Sequence, residues 1–272
     1  MTSISAKPVA LVTGASSGIG LATAHALTRA GYLVFGTSRG EVASVNGPIR
    51  MLRCDVTDDR SVADAVQAVV DGAGRIDLLV NTAGLGMAGP AEETSMAQAR
   101  DLFEVNFFGT VRVVLAVLPH MRAAKRGRIL NISSVFGLIP APYMAIYAAT
   151  KHAVEGYTES LDHEVRGWGI RAIAIEPANT RTSFDANLVP AANPLSAYDD
   201  VRARIKAMLQ GMAQTGDDPA VVADTIVKAA GIAKPDLRYA AGKGRKLTLL
   251  RRFVPRQAFD ASLRKQLGLS AS

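Results

Sequence analysis

Two tyrosines and a lysine recur at a four-residue spacing in the stretch YMAIYAATK, residues 143–151. Side chains four positions apart share one face of an α-helix, so Tyr143, Tyr147 and Lys151 would form one stripe. A phenol beside an ammonium group is suited to proton transfer, because the positive charge favours the phenolate. The alternative is a half-buried aromatic ridge with a solvated lysine, and the spacing alone favours that structural interpretation.

A glycine-rich loop, TGASSGIG (13–20), separates the first predicted strand from a helical pattern. Gly14 suits a tight turn, Gly18 lets the backbone approach a pyrophosphate, and Gly20 lets the helix pack against the sheet. The helix N-terminus offers free N–H groups and the positive end of its dipole to phosphates. Because the loop lies between a strand and a helix, it predicts a dinucleotide site.

The end of the second predicted strand indicates which dinucleotide binds. In such folds a carboxylate at this point accepts from the ribose 2′-hydroxyl, whereas an arginine suits a 2′-phosphate. This chain has Thr37, Ser38 and Arg39, and its first acidic residue is Glu41. A guanidinium can bind a phosphate through two parallel hydrogen bonds, so we expect NADP(H). A solvated loop arginine is the alternative, and Glu41 is close enough to leave NAD(H) open.

Short apolar strands alternate with amphipathic helices along the chain. The predicted strands are 8–13, 32–38, 49–57, 76–84, 127–134, 170–177 and 237–242. The predicted helices are 19–30, 61–74, 96–124, 145–166, 197–213 and 219–233. Strands that are apolar on both faces indicate a parallel sheet covered by helices on both sides. We expect an α/β doubly wound sheet of about seven strands in one domain, 1–272, without linkers or repeats.

The composition is that of a globular chain kept in a reducing compartment. Of 272 residues, 49% are hydrophobic and 20% are charged, which excludes disorder. We find no apolar run near the roughly 18 to 20 residues of a membrane-spanning helix, and no export signal at the N-terminus. Cys54 is the only cysteine, so no internal disulfide can form. The cytoplasm is the expected location.

The net charge of +7 is concentrated at the C-terminus. From Lys234 onward, ten Lys or Arg stand against two Asp, a balance of +8, whereas the remainder carries −1. A basic extension near 243–272 can contact anionic membranes, or it can be a solvated surface or a subunit contact. Few aromatic residues interleave with these charges and no nucleic-acid motif is present, so we expect no nucleic-acid partner.

Six motifs in order, TGASSGIG, CDVTD, NTAG, VNFFG, NISS and YAATK, resemble the short-chain dehydrogenase/reductase family from residue 8 to at least 180. The resemblance implies a Rossmann fold, a nicotinamide cofactor and no metal. The Y-x-x-x-K motif selects Tyr147 and Lys151 as catalytic, so Tyr143 is at most a pocket wall. The serine thirteen residues earlier is Ser134, and the Asn of VNFFG is Asn106.

The family resemblance also implies the cofactor contacts. Asp55 of CDVTD would meet the adenine edge, Asn81 of NTAG would hold the central strands and line the cofactor, and Thr180 would meet the carboxamide. Ala178 stands where the family usually has glycine, which predicts a different loop shape. The predicted cofactor contacts are Gly14, Ser16, Ser17, Gly18, Ile19, Gly20, Ser38, Arg39, Asp55, Val56, Asn81, Ala83, Gly84, Tyr147, Lys151, Pro177 and Thr180.

The expected chemistry is reversible hydride transfer between a carbonyl and an alcohol. An ammonium group about 4 Å from a phenol supplies roughly 4 kcal/mol at an effective dielectric near 20. At about 1.4 kcal/mol per pKa unit, Lys151 would lower the pKa of Tyr147 by up to about three units. Ser134 would orient the substrate oxygen, and Asn106 would connect Lys151 to solvent through water.

The loops expected to contact the substrate carry few charges. They are Gly84–Pro90, Val135–Tyr143 and a substrate loop near 183–214; they carry Leu85, Met87, Phe136, Leu138, Ile139, Phe184, Leu188 and Leu195, and Met144 lies nearby. An apolar pocket fits a hydrophobic ketone or secondary alcohol. The motifs and the C-terminal sequence resemble the hydroxysteroid and retinol dehydrogenase branch. That branch implies a homodimer or homotetramer, and NADP(H) would favour reduction. The alternative is a non-catalytic cofactor-binding sensor or scaffold.

Overall fold

Seven strands form one parallel sheet in the order β3-β2-β1-β4-β5-β6-β7. The computed structural model describes residues 7–40, 48–184, 187–244 and 253–266. The strands are β1 (Val9–Thr13), β2 (Leu33–Ser38), β3 (Ile49–Arg53), β4 (Leu78–Asn81), β5 (Gly127–Ile132), β6 (Ile170–Pro177) and β7 (Arg238–Ala241). The chain reverses its winding direction between β1 and β4, which confirms the predicted doubly wound Rossmann sheet.

Helices cover both faces of the sheet. They are α1 (Gly18–Arg29), α2 (Asp59–Ala73), α3 (Met96–Phe103), α4 (Gly109–Ala123), α5 (Ala145–Val165), α6 (Asp199–Thr215), α7 (Pro219–Gly231) and α8 (Arg256–Gln266). Capping residues next to the helices determine where several of them begin and end. The Asp58 side chain accepts from the Ser61 N–H at the start of α2, and Gly74 ends that helix in the left-handed conformation.

The strands read as continuous apolar runs because side chains on both faces are buried. In β1, Val9 and Leu11 pack among residues of α2, α4 and α5, whereas Ala10 and Val12 pack against α1 and α7. All five residues of β1 are buried. Two apolar layers therefore hold the sheet, and its carboxyl edge is left to carry loops.

One helical stretch runs from Met96 through Ala123, as predicted, but it contains a π-helical turn at Glu104–Phe108 between α3 and α4. Such turns insert one extra residue into a helix and often occur at functional sites. By length and composition this stretch could span a membrane, since an 18-residue window of it has a mean hydropathy of 1.6, although charged residues such as Arg112 interrupt its apolar runs. Val113, Val117 and Met121 on this stretch belong to the apolar layer under the sheet, as in a core helix.

The largest boundary errors occur at the carboxyl edge of the sheet. The strand predicted at 49–57 ends at Arg53, and the one predicted at 76–84 ends at Asn81. In both places the polar residues that follow form loops. Parts of other predictions lie outside the described residues: Glu41, residues 185–186 of the substrate loop, and residues 245–252 and 267–272 of the basic extension.

Candidate active site

A cleft of about 900 Å³ lies at the carboxyl edge of the sheet, between the glycine loop and the first turns of α5. This is the crevice where the winding direction of the sheet changes, and ligands of doubly wound folds bind there. Most of the predicted site residues line it: Gly14, Ser16, Ser17, Gly18, Ile19, Gly20, Ser38, Arg39, Asp55, Val56, Ala83, Gly84, Ser134, Tyr147, Lys151, Pro177 and Thr180.

The glycine loop fits a dinucleotide phosphate. Gly14 and Gly18 have φ angles of +64° and +54°, which favour glycine. A Cβ atom at Gly20 would lie 2.2 Å from the carbonyl oxygen of Gly14, so no side chain can be accommodated there. Ser17 begins α1 without a side-chain hydrogen bond to the helix, and no acidic residue lies in the first turn of this helix. The helix N–H groups are therefore available to an anion.

A threonine pair connects β1 and β4 where they meet beneath this loop. The Thr13 hydroxyl accepts from the N–H groups of Thr82 and Ala83 at 3.1 and 3.2 Å. In return, the Thr82 hydroxyl donates to the carbonyl of Thr13. These bonds hold the loop after β4 against the glycine loop. An alanine in place of Thr82 would lack the bond that its hydroxyl makes.

Tyr147 and Lys151 lie one turn apart on α5 and both line the cleft. The Lys151 Nζ atom is 5.7 Å from the centroid of the Tyr147 ring and donates to the Ile132 carbonyl at 2.9 Å. Burial lowers the pKa of Lys151 to about 8, and Glu155 one turn further opposes that shift. The ammonium form therefore still predominates at neutral pH. The ring of Phe184 packs against the Tyr147 ring with centroids 5.5 Å apart.

Ser134 and Asn106 differ in their relation to the cleft. Ser134 follows β5 and lines the cleft, and its hydroxyl oxygen accepts from the Phe136 N–H at 3.2 Å. That leaves the hydroxyl hydrogen free to point to a ligand. The Asn106 side chain instead binds the backbone of Leu85, accepting from its N–H at 2.7 Å and donating to its carbonyl at 2.9 Å. Asn106 therefore fixes the loop after β4, and its water link to Lys151 stays a prediction.

Tyr143 does not share a helix face with Tyr147, because α5 begins only at Ala145. Tyr143 has a φ of +64° and sits in a turn in which the Met144 N–H bonds to the Ala141 carbonyl at 2.9 Å. Pro142 precedes it, and proline followed by a residue of positive φ is the pattern of a type II turn. The Tyr143 carbonyl also accepts from Gly89, so this strained turn holds the loop after β4.

The predicted adenosine end contains Ser38, Arg39 and Asp55, and all three line the cleft. The Asp55 carboxylate accepts from the N–H and the hydroxyl of Thr57, which lowers its pKa, and Arg39 lowers it further. Asn81 is buried and is not among the residues that line the cleft, so its contact with the cofactor stays a prediction. Its side chain lies between strands and donates to Asn131 of β5 at 2.9 Å, so only its role in holding the central strands agrees with the structure.

The loop after β6 tolerates the alanine that replaces the usual glycine. Ala178 is not among the described non-glycine residues with positive φ, so the backbone does not require glycine there. Thr180 lines the cleft, and its hydroxyl donates to the Ala178 carbonyl at 3.1 Å. The neighbouring Arg181 N–H bonds to the Asp217 carbonyl at 2.8 Å. The loop is thereby fixed to the turn before α7.

Sequence reasoning missed several residues that line the cleft from the C-terminal half. They are Thr182, Thr215 and Lys243, whereas Asn187 belongs to the predicted substrate loop. Thr182 is close to the glycine loop, since a Cβ atom on Gly18 would lie 3.3 Å from its side chain. The Lys243 ammonium donates to the Thr215 carbonyl at 2.7 Å. Thr215 and Lys243 carry no motif, and contacts between distant segments place them at the cleft. Of the apolar residues predicted for the substrate loops, Leu85, Phe136, Met144 and Phe184 line it.

Two buried carboxylates, Glu155 one turn after Lys151 and Glu176 of β6, lie near Arg238. Glu155 and Glu176 are 4% and 2% exposed, and one oxygen of each has no hydrogen-bond partner among the described residues. Arg238 of β7 binds Glu155 at 3.0 Å and lies 3.9 Å from Glu176. Burial, and then Glu155, raise the pKa of Glu176 to about 7, while Arg238 opposes the shift. Because Glu176 is buried and Arg238 also binds Glu155 and Glu159, Glu176 retains its proton well above the usual range.

The family comparison agrees with this geometry. The family model for short chain dehydrogenases matches residues 8–193. The chain is 37% identical to the 3-ketodihydrosphingosine reductase of Bacteroides thetaiotaomicron, over 86% of this chain and 87% of that protein. It is 36% identical to retinol dehydrogenase 8 of Bos taurus, over 84% and 79%. The chain belongs to the short-chain dehydrogenase family.

Solved structures show the same fold with nicotinamide cofactors. A short-chain dehydrogenase from Streptomyces avermitilis superposes with a TM-score of 0.80 at 32% identity, covering 97% of this chain and 99% of that chain. A Burkholderia phymatum relative in complex with NAD has a TM-score of 0.80 at 26% identity, covering 95% of both chains. A Burkholderia cenocepacia relative in complex with NADP has a TM-score of 0.76 at 25% identity, covering 94% and 97%. The chain therefore has the fold of oxidoreductases that bind a nicotinamide cofactor.

The buried carboxyl group of Glu176 predicts that the stability of the protein depends on pH. Folded Glu176 keeps its proton up to about pH 7, whereas in the unfolded chain it releases the proton near its ordinary pKa of 4.5. Because the folded state binds more protons between these values, the free energy of unfolding should fall as pH rises through this window, by up to about 3 kcal/mol. Glu176→Gln should flatten this slope in urea denaturation measured from pH 4.5 to 8.

Glu164→Gln is the matched control, since Glu164 lies on the exposed side of α5. It should keep the wild-type slope. An unchanged slope in Glu176→Gln would show that Glu176 is ionised throughout.

Proposed function

We propose that the protein is an NADP(H)-dependent oxidoreductase that interconverts a hydrophobic ketone or aldehyde and its alcohol, with Tyr147 as the acid and base. The observation that carries this proposal is that Tyr147, Lys151 and Ser134 line the same cleft as the glycine loop. A nicotinamide dinucleotide, when bound, supplies or accepts the hydride. The chain must therefore bind the dinucleotide, orient the carbonyl and move one proton.

Tyr147 is the group that moves the proton. In reduction, its hydroxyl donates to the oxygen of the carbonyl as negative charge develops there, and in oxidation its phenolate accepts the alcohol proton. The Lys151 ammonium, fixed by the Ile132 carbonyl, stabilises the phenolate because both groups lie in a region from which water is largely excluded. The same ammonium is placed to donate to the nicotinamide ribose.

Ser134 orients the carbonyl. Its oxygen accepts from the Phe136 N–H, which leaves the hydroxyl hydrogen available to the substrate oxygen. A hydroxyl that donates to the substrate oxygen together with Tyr147 stabilises the developing alkoxide. We assign Ser134 this role and assign Asn106, through Leu85, the role of positioning the loop opposite.

An uncharged, apolar wall supports a hydrophobic substrate. Met87, Met144 and Tyr147 belong to one apolar cluster, against which Leu85, Phe136, Phe184, Leu188 and Val189 pack. Leu85, Phe136, Met144 and Phe184 of this cluster line the cleft beside Tyr147, and methionine adapts to irregular apolar ligands. The relatives named for reduction of 3-ketodihydrosphingosine and for dehydrogenation of retinol support the same class. A substrate with a long alkyl or polyene chain fits this wall.

Arg39 supports the preference for NADP(H). It lines the cleft directly after β2 and is close enough to Asp55 to lower the pKa of that carboxyl. A guanidinium there can bind a 2′-phosphate through two hydrogen bonds, and Ser38 can add a third. The structural relatives include both NAD and NADP complexes, so the residues of this chain carry the assignment.

We further propose a cytoplasmic homodimer or homotetramer. Phe108 and Leu115 are 48% and 60% exposed and lie seven residues apart, on one face at the start of α4. Large apolar side chains exposed together support an interface between subunits. The single buried cysteine, Cys54, supports a reducing compartment.

Tyr147→Phe should abolish turnover of hydrophobic ketones while NADPH binding stays within about twofold of wild type. The substitution removes only the hydroxyl, and general acid–base catalysis contributes about 10² to 10⁴-fold to a rate. Ketone reduction is measured by NADPH absorbance, and binding by NADPH fluorescence titration.

The control is Tyr143→Phe, which removes the hydroxyl of the tyrosine in the turn before α5. That variant should turn over normally. Full activity in Tyr147→Phe would refute the catalytic assignment, whereas loss in both variants would indicate a structural effect of tyrosine replacement.

Arg39→Asp should weaken NADPH binding about 10 to 100-fold and weaken NADH binding much less. The guanidinium contributes charge-assisted hydrogen bonds to the 2′-phosphate, which NADH lacks. Dissociation constants for both dinucleotides give the ratio. Arg60→Asp, on the exposed start of α2, controls for the change in net charge and should leave the ratio unchanged. Equal losses for both dinucleotides in Arg39→Asp would overturn the NADP(H) assignment.

A further inference from the structure

Residues 187–202, which we call the strap, run along one side of the apolar wall to which Tyr147 belongs. Leu188 and Phe184 fill the space over Gly86, where an added Cβ would lie 2.4 Å from each of them. The Val189 N–H bonds to the Gly86 carbonyl at 2.9 Å, and Met87 and Val189 form a β-bridge. The position of the strap therefore decides the shape of the wall.

The strap is anchored by side chains from residues 92–98, which precede and begin α3. One Glu93 oxygen accepts from the Leu195 N–H at 2.8 Å and from the Arg202 guanidinium. Gln98 accepts from the Ala192 N–H at 3.0 Å and donates to the Pro190 carbonyl at 2.7 Å. These bonds hold a segment of the strap that contains little regular structure.

Glu93 is the central anchor. Its side chain is fully buried, and its backbone carbonyl also accepts from the Asn193 N–H at 3.1 Å. A buried carboxylate needs a cation or several donors, and breaking one partner of such a pair leaves an uncompensated charge. Arg202 supplies that cation, and it also donates to the Leu195 carbonyl at 3.0 Å. Glu93 and Arg202 therefore fix the strap together.

The anchor and the catalytic group are joined through the same apolar cluster. Leu102 of α3 belongs to it with Met144 and Tyr147, and Leu188 and Val189 of the strap pack against it. The segment that the anchor holds therefore packs against the same cluster as Tyr147. Neither Glu93 nor Arg202 lines the cleft.

We propose that Glu93, held by Arg202, is a positioning residue that fixes the strap opposite Tyr147 and so sets the selectivity for long hydrophobic substrates. This inference rests on the proposed function. A fixed apolar wall gains contact with each methylene that a substrate places against it, whereas a displaced wall gains less. The signature of the anchor is therefore the dependence of kcat/KM on alkyl chain length.

The test uses 2-alkanones from 2-butanone to 2-dodecanone with NADPH. In wild type, kcat/KM should rise by up to about fourfold for each methylene that is buried. Glu93→Gln keeps the size of the side chain but loses its charge, and it should at least halve the slope of log(kcat/KM) against chain length. The reduction of 2-butanone and the dissociation constant of NADPH should stay within about twofold of wild type.

Hydrogen exchange tests the anchorage without relying on activity. In Glu93→Gln, peptides covering 187–202 should exchange faster, and peptides covering β1 and α1 should not change. Arg202→Gln should reproduce both effects, and the double variant should not add to them, because the two residues act as one pair. Arg202→Lys keeps the positive charge but loses the planar fork of the guanidinium. It should therefore give a slope of log(kcat/KM) against chain length between those of wild type and Glu93→Gln. If Glu93→Gln does not fold, Arg202→Lys takes its place in both measurements.

Arg181→Gln is the matched control. It breaks the exposed ion pair of Arg181 with Asp218, which is 3.3 Å long and involves neither Glu93 nor Arg202. Exposed pairs contribute little, so slope and exchange should match wild type. Wild-type exchange at 187–202 in Glu93→Gln would refute the anchorage. Faster exchange with an unchanged slope would refute the role in selectivity. A wild type that reduces no alkanone would count against the proposed function, and the exchange data would still decide the anchorage.

Discussion

The burial of the Lys151 ammonium group is the interaction on which the arrangement of this site depends. Removing a charge from water is costly, and the protein offsets part of this cost with the Ile132 carbonyl and with Glu155. The Lys151 ammonium group can donate to the Ile132 carbonyl only if the start of α5 lies across the end of β5. Tyr147, one turn earlier, is thereby directed into the cleft, and Ser134 follows directly from the same strand.

A second constraint is crowding where β1, β4 and α1 meet. Gly20 lies so close to Gly14 and Thr82 that a single added carbon would overlap both. The helix can approach the sheet only because no side chain is present, and this approach points its N-terminal N–H groups at the cleft. The threonine bonds between β1 and β4 then fix the two loops that flank the dinucleotide. The phosphate site is therefore a result of packing as much as of loop conformation.

Buried carboxylates serve two different purposes around the cleft. Glu93 is ion-paired and accepts from the main chain, so it fastens an irregular segment to a helix. Glu155 and Glu176 share one partly exposed arginine, so burial holds a proton on Glu176 near neutral pH. Both arrangements lie next to loops that shape the site. Only the first of them positions backbone that lacks regular structure, through the bonds of Glu93 to the Leu195 N–H and the Arg202 guanidinium.

The sequence alone determined the order of strands and helices, the glycine loop and the Tyr147–Lys151 pair, because each depends on neighbours within a few residues. Periodicity and spacing report such local relations directly. Only the tertiary structure decided that Tyr143 sits in a strained turn, that Asn81 bonds between strands, and that Asn106 holds the backbone of Leu85. Glu93 and Arg202 are 109 positions apart, and no local pattern records their contact. Long-range packing brings such side chains together, because burial leaves each polar group only the partners that the fold provides.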